Sequence, residues 1–219
     1  MTAAGTSGIV LLSGGLDSGV AAALFQRQSG HTLAACLFFD YGQRAARREA
    51  AAAELLARRF GAPFVSIPLP WLGELARGVG CRLIGGTGEL PHGTTSVPGD
   101  EASASAVWVP ARNAVFLAVA AAHAEATRAQ CIVAGFNREE AATFADNSDA
   151  FVRSANVMLQ MGTRSGVRVE SPTLAMDKAQ IVATARSLGF GPADFWSCYE
   201  GGAEPCGRCE SCLRSRWTR

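Results

Sequence analysis

The stretch that decides the fold reads Gly8-Ile9-Val10-Leu11-Leu12-Ser13-Gly14-Gly15-Leu16-Asp17-Ser18. Its first five residues are apolar and have the length of a buried β-strand, and the Ser/Gly loop that follows opens onto a helix. Glycines let an anion approach the backbone closely, and the N–H groups and dipole at the start of a helix favour negative charge. The stretch therefore predicts an α/β fold with an anion-binding loop after its first strand.

Strand and helix patterns alternate along the rest of the chain, which is typical of a parallel sheet covered by helices on both faces. The further predicted strands cover residues 31–39, 63–67, 131–134 and 167–170. The predicted helices cover residues 17–28, 43–60, 110–128, 149–161 and 176–188. We therefore predict a Rossmann-like, doubly wound, five-stranded parallel sheet in a single domain over residues 1–219. Ligands of such sheets bind beyond the carboxyl ends of the strands.

Residues 78–107 interrupt this alternation. They are rich in Gly, Ser, Thr and Ala, contain Pro91 and Pro98, and show little periodicity. Connections this long without regular structure are usually lids or disordered segments. The sequence thus leaves two interpretations of this segment open, a flexible insertion and a lid that orders on the substrate.

Composition limits the classes of partner. With 219 residues, 48% hydrophobic residues and a net charge of +1, the chain can bury a sizeable core but gives no global case for nucleic-acid or membrane binding. No apolar run approaches the roughly 20 residues needed to cross a bilayer, and the first residues lack the basic segment of a secretion signal. We expect a cytoplasmic protein without a membrane partner or a stable nucleic-acid partner.

One basic run could argue otherwise. It lies in the helix predicted over residues 43–60 and comprises Arg44, Arg47, Arg48, Arg58 and Arg59. Glu49 and Glu54 interrupt it, which favours a solvated helix face over an RNA-binding surface.

Four of the seven cysteines lie within the last 22 residues, in the pattern C-x7-C-x2-C-x2-C. They are Cys198, Cys206, Cys209 and Cys212. Two-residue gaps let neighbouring thiolates turn toward one ion, and four thiolates satisfy tetrahedral Zn²⁺ at about 2.3 Å. A closed set of this kind predicts a structural zinc in a small segment over residues 194–214, which is too small for a core of its own. An iron–sulfur cluster and redox thiols are the alternatives.

The loop at residues 13–18 resembles the pyrophosphate loop of the N-type ATP pyrophosphatases, whose pattern is Ser-Gly-Gly-x-Asp-Ser, and it lacks the spacing of a Walker loop. The resemblance implies ATP binding and transfer of AMP to a substrate oxygen. The predicted ATP-binding residues are Leu12, Ser13, Gly14, Gly15, Leu16, Asp17, Ser18, Asp40, Arg112, Asn113 and Gly135.

Ser13, Asp17, Ser18 and Lys178 are the predicted catalytic residues. The two serine hydroxyls and the loop N–H groups suit stabilisation of the leaving phosphates. Asp17 is either a helix cap or a Mg²⁺ contact. Lys178 resembles the lysine that related pyrophosphatases direct at the phosphates, and a solvated helix lysine is the alternative.

The order and spacing of several motifs resemble the 7-cyano-7-deazaguanine synthase (QueC) family of queuosine and deazapurine biosynthesis over nearly the whole chain. The motifs lie at residues 12–18, 39–43, 109–113 and 135–137 and in the cysteine-rich tail. The resemblance implies a C–N-bond-forming ligase that converts 7-carboxy-7-deazaguanine and ammonia to the nitrile preQ0. It also implies ATP, Mg²⁺ and one structural zinc as cofactors and a homodimer as the assembly.

The chain departs from the commonest family pattern in the substrate loop. Many members carry a Ser-Gly-Tyr-Pro-Asp-Cys-Arg-like stretch, where this chain reads Glu139-Glu140-Ala141-Ala142-Thr143-Phe144-Ala145-Asp146-Asn147-Ser148. A carboxylate there suits the N–H edge of a guanine-like ring through paired hydrogen bonds. Asn147 or Ser148 could instead cap the next helix, and Arg112 with Asn113 could be a surface cap instead of a ligand contact. The predicted substrate-binding residues are Tyr41, Gln43, Asn137, Asp146, Asn147 and Ser148.

Two further functions stay open at this point. One is another ATP pyrophosphatase, such as a tRNA thiolase or a deazapurine-related defence or modification enzyme. A thiolase would need a cysteine near the nucleotide and a basic face. The other is a non-catalytic, zinc-stabilised nucleotide-binding scaffold, against which the intact Ser13, Asp17 and Lys178 argue.

Overall fold

The computed structural model describes residues 5–91 and 101–215, and within the helix that begins at Glu101 it describes side chains from Ala104 onward. The sheet has five strands in the order β3-β2-β1-β4-β5, and every neighbouring pair is parallel. The strands are β1 (Ser7–Leu11), β2 (Thr32–Asp40), β3 (Phe64–Pro68), β4 (Cys131–Val133) and β5 (Arg168–Glu170). The predicted doubly wound parallel sheet is confirmed, and each strand lies within one residue of its predicted bounds.

Helices cover both faces of this sheet. They are α1 (Leu16–Gln26), α2 (Ala46–Phe60), α3 (Pro70–Gly78), α4 (Glu101–Ala106), α5 (Arg112–Thr127), α6 (Arg138–Ala141), α7 (Asp149–Gly162), α8 (Lys178–Ser187) and α9 (Glu210–Arg214). Short 3-10 turns occupy Ala145–Asn147 and Pro192–Asp194. Within residues 5–91 and 101–215, no helix combines the length and the apolar character that a membrane crossing demands.

The central strand divides the core into two layers. Ile9 and Val10 are both fully buried, but their side chains point to opposite faces because strand residues alternate. Ile9 belongs to the layer with α3, α5 and α7, and Val10 to the layer with α1, α2 and α8. The apolar run of β1 is therefore continuous because both of its faces are covered.

The strand order reverses at β1. The chain passes from β1 through α1 to β2 on one side, whereas β4 lies on the other side. A crevice therefore opens at the carboxyl ends of β1 and β4, where doubly wound folds bind ligands. Gly135, directly after β4, packs against the first turn of α1, and a Cβ at this position would lie 2.5 Å from Ser18 N. Only glycine permits this close approach.

The segment 78–107 is not irregular throughout. Residues 101–106 form α4, Arg82 N donates to Ala106 O at 2.7 Å, and Ile84 forms an antiparallel bridge with Gln43. The pattern missed α4 because six Ala- and Ser-rich residues carry no apolar periodicity. Residues 92–100 lie outside the described residues, so the flexible insertion and the lid both stay predictions.

Candidate active site and metal centre

The carboxyl ends of the strands enclose a cleft with a cavity volume of about 290 Å³. Most of the predicted site residues line it, although they come from widely separated parts of the chain. They are Leu12, Ser13, Gly15, Leu16, Asp17, Ser18, Tyr41, Gln43, Arg112, Asn113, Gly135, Asn137, Asp146, Asn147 and Lys178. The topology thus brings the anion loop, the residues after β2, the start of α5 and the substrate loop to one place.

The anion loop is held open by its own hydrogen bonds. Ser13 Oγ lies 3.0 Å from Ser18 Oγ and accepts a bond from Gly15 N at 3.2 Å. Gly14 has a positive φ of 79°, and a Cβ there would lie 2.3 Å from Glu49 O. Gly15 begins α1 without a side-chain cap, so the first N–H groups of the helix are left for an anion.

Lys178 and Asp17 form the central ion pair of the cleft. Lys178 Nζ donates to Asp17 Oδ2 at 2.6 Å and lies 3.8 Å from Glu140 Oε1. The lysine side chain is only 8% exposed. Burial lowers its pKa, but Asp17 and Glu140 outweigh burial and leave the pKa above its usual value. Lys178 is therefore a buried, charged group and not a solvated helix lysine.

Asp17 does not cap α1, since its carboxylate binds Lys178. Its second oxygen, Oδ1, is buried and has no hydrogen-bond partner among the described residues. A buried carboxylate oxygen without a partner beside an anion loop suits a cation such as Mg²⁺ brought in with a nucleotide. Of the two predicted roles, the geometry favours the metal contact.

Arg112 and Asn113 face the cleft and do not form a surface cap. Arg112 Nη1 donates to Tyr41 Oη at 3.4 Å, and Asn113 Nδ2 donates to Asp146 O at 3.2 Å. Burial raises the pKa of Asp146, although Arg112 and the amide of Asn147 oppose it. The substrate loop is thereby fixed to the start of α5, with a carboxylate inside the cleft.

Aromatic rings form part of the cleft wall. Phe39 and Phe116 stack with their centroids 4.1 Å apart, and Trp108 stacks on Phe144 at 6.1 Å. Flat apolar walls with a few polar groups between them are typical of sites for planar heterocycles.

Three of the residues predicted to bind ATP or substrate lie outside the cleft lining. Gly14 faces the backbone of Glu49, Asp40 Oδ1 accepts from Gly42 N at 3.0 Å, and Ser148 caps α7 by accepting from Phe151 N at 3.1 Å. For Ser148 the capping alternative is the one that the structure contains. Gln43 and Asn137 line the cleft but also hold the backbone, since Gln43 Oε1 accepts from Tyr41 N and Asn137 Oδ1 from Glu140 N.

Sequence reasoning missed several acidic and basic groups of the cleft. Glu49 was expected on a solvated helix face, but it lines the cleft and accepts from Gln43 Nε2 at 2.9 Å. Burial raises its pKa to about 7. Glu140 and Arg214 were not singled out. For Lys178 a compositional signal existed, because it is the only lysine among the 219 residues.

The cysteine ligands predicted from the pattern meet in space. The sulfurs of Cys198, Cys206, Cys209 and Cys212 all lie within 4.8 Å of one another. Tetrahedral zinc with Zn–S bonds of about 2.3 Å places its sulfurs about 3.8 Å apart, close to the 4.0 Å separations of Cys206–Cys212 and Cys209–Cys198. So compact a set fits one tetrahedral ion better than a multi-iron cluster.

Backbone groups support the same site. Cys198 Sγ accepts hydrogen bonds from Glu200 N and Cys206 N, and Cys206 Sγ accepts from Cys209 N, all at 3.3 Å. N–H groups directed at sulfur stabilise thiolates, the form in which cysteine binds metal.

The cysteine-rich segment is docked on the anion loop. Trp196 N donates to Gly14 O at 2.9 Å, and the Trp196 ring lies under the Arg48 guanidinium, 5.4 Å from its centroid. Beyond the last cysteine, Arg214 and Ser215 line the cleft, as does Ser211 within α9. The cysteine-rich segment therefore forms part of the cleft wall.

The basic run at residues 44–59 begins just before α2 and contacts other parts of the molecule. Arg44 and Arg48 bind the backbone of Arg82 and Gly202, Arg58 pairs with Glu54, and Arg59 lies 3.8 Å over the Phe190 ring. Four of the five arginines of the run therefore make contacts within the molecule.

Comparison of structures supports the fold. The chain superimposes with a TM-score of 0.50 and 13% identity on the U34-tRNA thiolase NcsA of Methanococcus maripaludis, which holds an iron–sulfur cluster, over 84% of this chain and 57% of that one. It superimposes with the same TM-score and 20% identity on a 4-thiouridine synthetase bound to RNA and ATP, over 95% of this chain and 48% of that one.

Comparison of sequences goes further. The model of the family described as queuosine biosynthesis protein QueC matches residues 7–217. A 7-cyano-7-deazaguanine synthase of Pelotomaculum thermopropionicum is 46% identical over 94% of this chain and 93% of its own length, and one of Desulforudis audaxviator is equally similar. A synthase of the same name from Methanothermobacter thermautotrophicus is 39% identical over 95% of this chain and 91% of its own. The family model and these relatives cover nearly the full length of the chain, including the residues of the cleft and of the cysteine cluster. The chain therefore belongs to the QueC family.

Proposed function

We propose that this chain is an ATP-dependent 7-cyano-7-deazaguanine synthase, which joins ammonia to 7-carboxy-7-deazaguanine and dehydrates the product to the nitrile. The single observation that carries the proposal is the cleft itself. It joins an uncapped anion loop, an ion pair between the buried Lys178 and Asp17, and a carboxylate-bearing substrate loop between aromatic walls. The family relationship supplies the substrate.

The first step is activation of the acid. A carboxylate is a poor electrophile toward ammonia because its leaving group would be an oxide. Its oxygen attacks the α-phosphorus of ATP, the bond from that phosphorus to the bridging oxygen breaks, and pyrophosphate leaves. The N–H groups at residues 16–18, the two serine hydroxyls and Lys178 are available to stabilise the negative charge that grows on the leaving phosphates.

Ammonia then attacks the acyl carbon, AMP leaves with one former carboxylate oxygen, and a proton is released to give the amide. The amide oxygen attacks a second ATP in the same way. Loss of the second AMP and of two protons from nitrogen leaves the nitrile. Two AMP molecules thus carry off both oxygens of the acid, and two pyrophosphates are formed.

Two metals fit the residues present. Asp17, with its free Oδ1, would hold a Mg²⁺ ion that neutralises the phosphates of ATP. The four cysteines would hold a structural Zn²⁺ that keeps Trp196 and α9 against the cleft. We further propose that the protein works in the cytoplasm as a homodimer, as the family resemblance implies.

The substrate loop would read the guanine-like ring. Asp146, held in the cleft by Asn113 and Asn147, can accept from a ring N–H and an exocyclic amine together. A tRNA thiolase is disfavoured by a specific observation: of the residues that the structure describes, no cysteine lines the cleft.

The proposal is tested with acid that carries ¹⁸O at both carboxylate oxygens. Incubation with ammonium and MgATP should yield amide and nitrile by mass spectrometry, with one ¹⁸O in each AMP. Omission of ammonium should stop both products. Unlabelled AMP, label in inorganic phosphate, or the absence of both products would contradict the proposed chemistry.

A further inference from the structure

Arg214 lies in the cysteine-rich segment and lines the cleft. It is the last residue of α9, a helix that begins directly after Cys209 and contains Cys212. Its side chain is 14% exposed, and its Nη2 lies 2.5 Å from Glu210 Oε1. Its other terminal nitrogen, Nη1, lies 3.6 Å from Glu140 Oε1.

Glu140 connects this arginine to the catalytic lysine. The same oxygen, Oε1, lies 3.8 Å from Lys178 Nζ. One carboxylate oxygen therefore lies between two cations that come from α8 and α9, in the wall of the cleft. The space between Lys178 and Arg214 has the size and the charge to hold a carboxylate, because it already contains one.

We propose that Arg214 binds the carboxylate of the acid substrate, and that Glu140 occupies this position in the ligand-free protein. The proposal rests on the function proposed above. A planar guanidinium with several N–H donors matches a carboxylate better than a single ammonium does. When the substrate carboxylate takes the position of Glu140, it lies next to Lys178, whose Nζ binds Asp17 of the anion loop. The acid is then held beside the phosphates that activate it.

The other arginine of the cleft is less suited to this task. Arg112 is held by Tyr41 and is attracted by the charge of Asp146, the carboxylate proposed to read the ring. An arginine at this position is suited to the ring end of the substrate, away from the reacting carboxylate. Lys178 and Arg214 together therefore define the end at which the reacting group lies.

The two stages of the reaction give a selective test. The acid carries a negative charge, whereas the amide intermediate is neutral. Loss of a charge-assisted hydrogen bond in Arg214→Gln should raise the KM for the acid by about 10- to 100-fold. The KM for ATP and the KM for added amide should stay close to their wild-type values. Arg214→Lys keeps the positive charge but loses the planar set of N–H donors. Its KM for the acid should lie between those of wild type and Arg214→Gln.

The control is Arg58→Gln, which removes an arginine from an exposed i,i+4 pair with Glu54, the same spacing as Arg214 and Glu210. Arg58→Gln should leave the KM for the acid and the KM for the amide unchanged. Bound metal is measured for every variant. Should Arg214→Gln lose the metal, the comparison of acid with amide is made on Arg214→Lys, in which a selective rise for the acid is still required.

An equal rise for acid and amide would show that Arg214 only supports the structure. A rise confined to ATP would make it a phosphate ligand. Either result overturns the inference. Wild-type protein that converts neither acid nor amide would instead contradict the proposed function, so the two failures are distinguishable.

Discussion

Lys178 Nζ lies 2.6 Å from Asp17 Oδ2, although 161 residues separate the two in the chain. The contact forms because α1 follows β1, α8 follows β5, and both helices begin at the same edge of the parallel sheet. Nineteen positions carry arginine, and this one alone carries lysine. Lys178 presents a compact ammonium to Asp17 at the anion loop, whereas an arginine would present a broader guanidinium fork.

Replacement of this lysine should therefore lower turnover strongly even when the positive charge is kept. We expect Lys178→Met and Lys178→Arg each to lower kcat by about 10²- to 10³-fold, because the developing charge on the leaving phosphates loses its partner. Steady-state kinetics with the acid and MgATP measure this. Bound metal should equal that of wild type, since the ion pairs of Lys178 are with Asp17 and Glu140 and not with the cysteines. Loss of metal from either variant would show that Lys178 is needed to hold the cysteine cluster together, contrary to this prediction.

The close packing of Gly135 gives a prediction about the backbone. A Cβ at this position would lie 2.5 Å from Ser18 N and 2.7 Å from the Asp17 carbonyl carbon. Gly135→Ala must therefore displace the first turn of α1 or the end of β4. We expect a loss of stability of at least about 1–3 kcal/mol in chemical denaturation and the loss of ATP binding in calorimetry.

Gly162→Ala is the matched control for this variant. Gly162 ends α7, and among the residues that the structure describes none beyond its chain neighbours and its own helix backbone lies within 4 Å of a Cβ placed there. It should retain both stability and ATP affinity. Normal ATP affinity in Gly135→Ala would contradict the close approach of β4 to the anion loop.

The sequence predicted the sheet well because its signals are local. Each strand is a short apolar run bounded by Gly, Pro or polar residues, and the anion loop follows the first of them. The helices α4, α6 and α9 were missed because they have six residues or fewer, too few to show a clear period of 3.6. The prediction also missed α3, although its buried residues Leu72 and Ala76 are one helical turn apart.

The site was predictable where a motif is contiguous and less so where the fold assembles it. The spacing of residues within each motif was enough to predict the anion loop and the cluster of four cysteines. Glu49 looked like part of a solvated face, because nothing near it in sequence shows that Gly14 and Gln43 pack against it. Arg214 has its role through Glu140 and Lys178, which lie on other elements.

Removal of the metal should affect the cleft as well as stability. Trp196 N binds Gly14 O, so loosening of the segment that carries Cys198 removes a support of the anion loop. We expect Cys198→Ser to lose bound metal, to unfold at a lower temperature, and to bind ATP more weakly in calorimetry. Cys131→Ala is the matched control, since Cys131 is fully buried in β4 and outside the cluster. Full ATP affinity in a metal-free Cys198→Ser protein would show that the segment does not support the loop.

The carboxyl of Glu49 predicts a pH dependence of stability. Burial raises its pKa from 4.5 to about 7, and the bond from Gln43 and the charge of Arg112 offset this only in part. Because the pKa is higher in the folded state, folding favours the protonated form. Its contribution to stability is complete below pH 4.5 and is lost as the pH rises through about 7. We expect this loss to be on the order of 2 kcal/mol, since the carboxyl is partly exposed to the cleft.

Glu49→Gln replaces the carboxyl by a group that stays neutral at every pH. The difference in unfolding free energy between wild type and Glu49→Gln should therefore shift against wild type between pH 5 and pH 8, as measured by urea denaturation of the metal-loaded proteins. Glu54→Gln is the control, because Glu54 lies on the same helix, pairs with Arg58 and is 46% exposed. Its difference from wild type should stay flat over this range. A parallel course of wild type and Glu49→Gln would show that Glu49 is ionised throughout, and that the cleft around it is more hydrated than its packing against Gly14 and Gln43 implies.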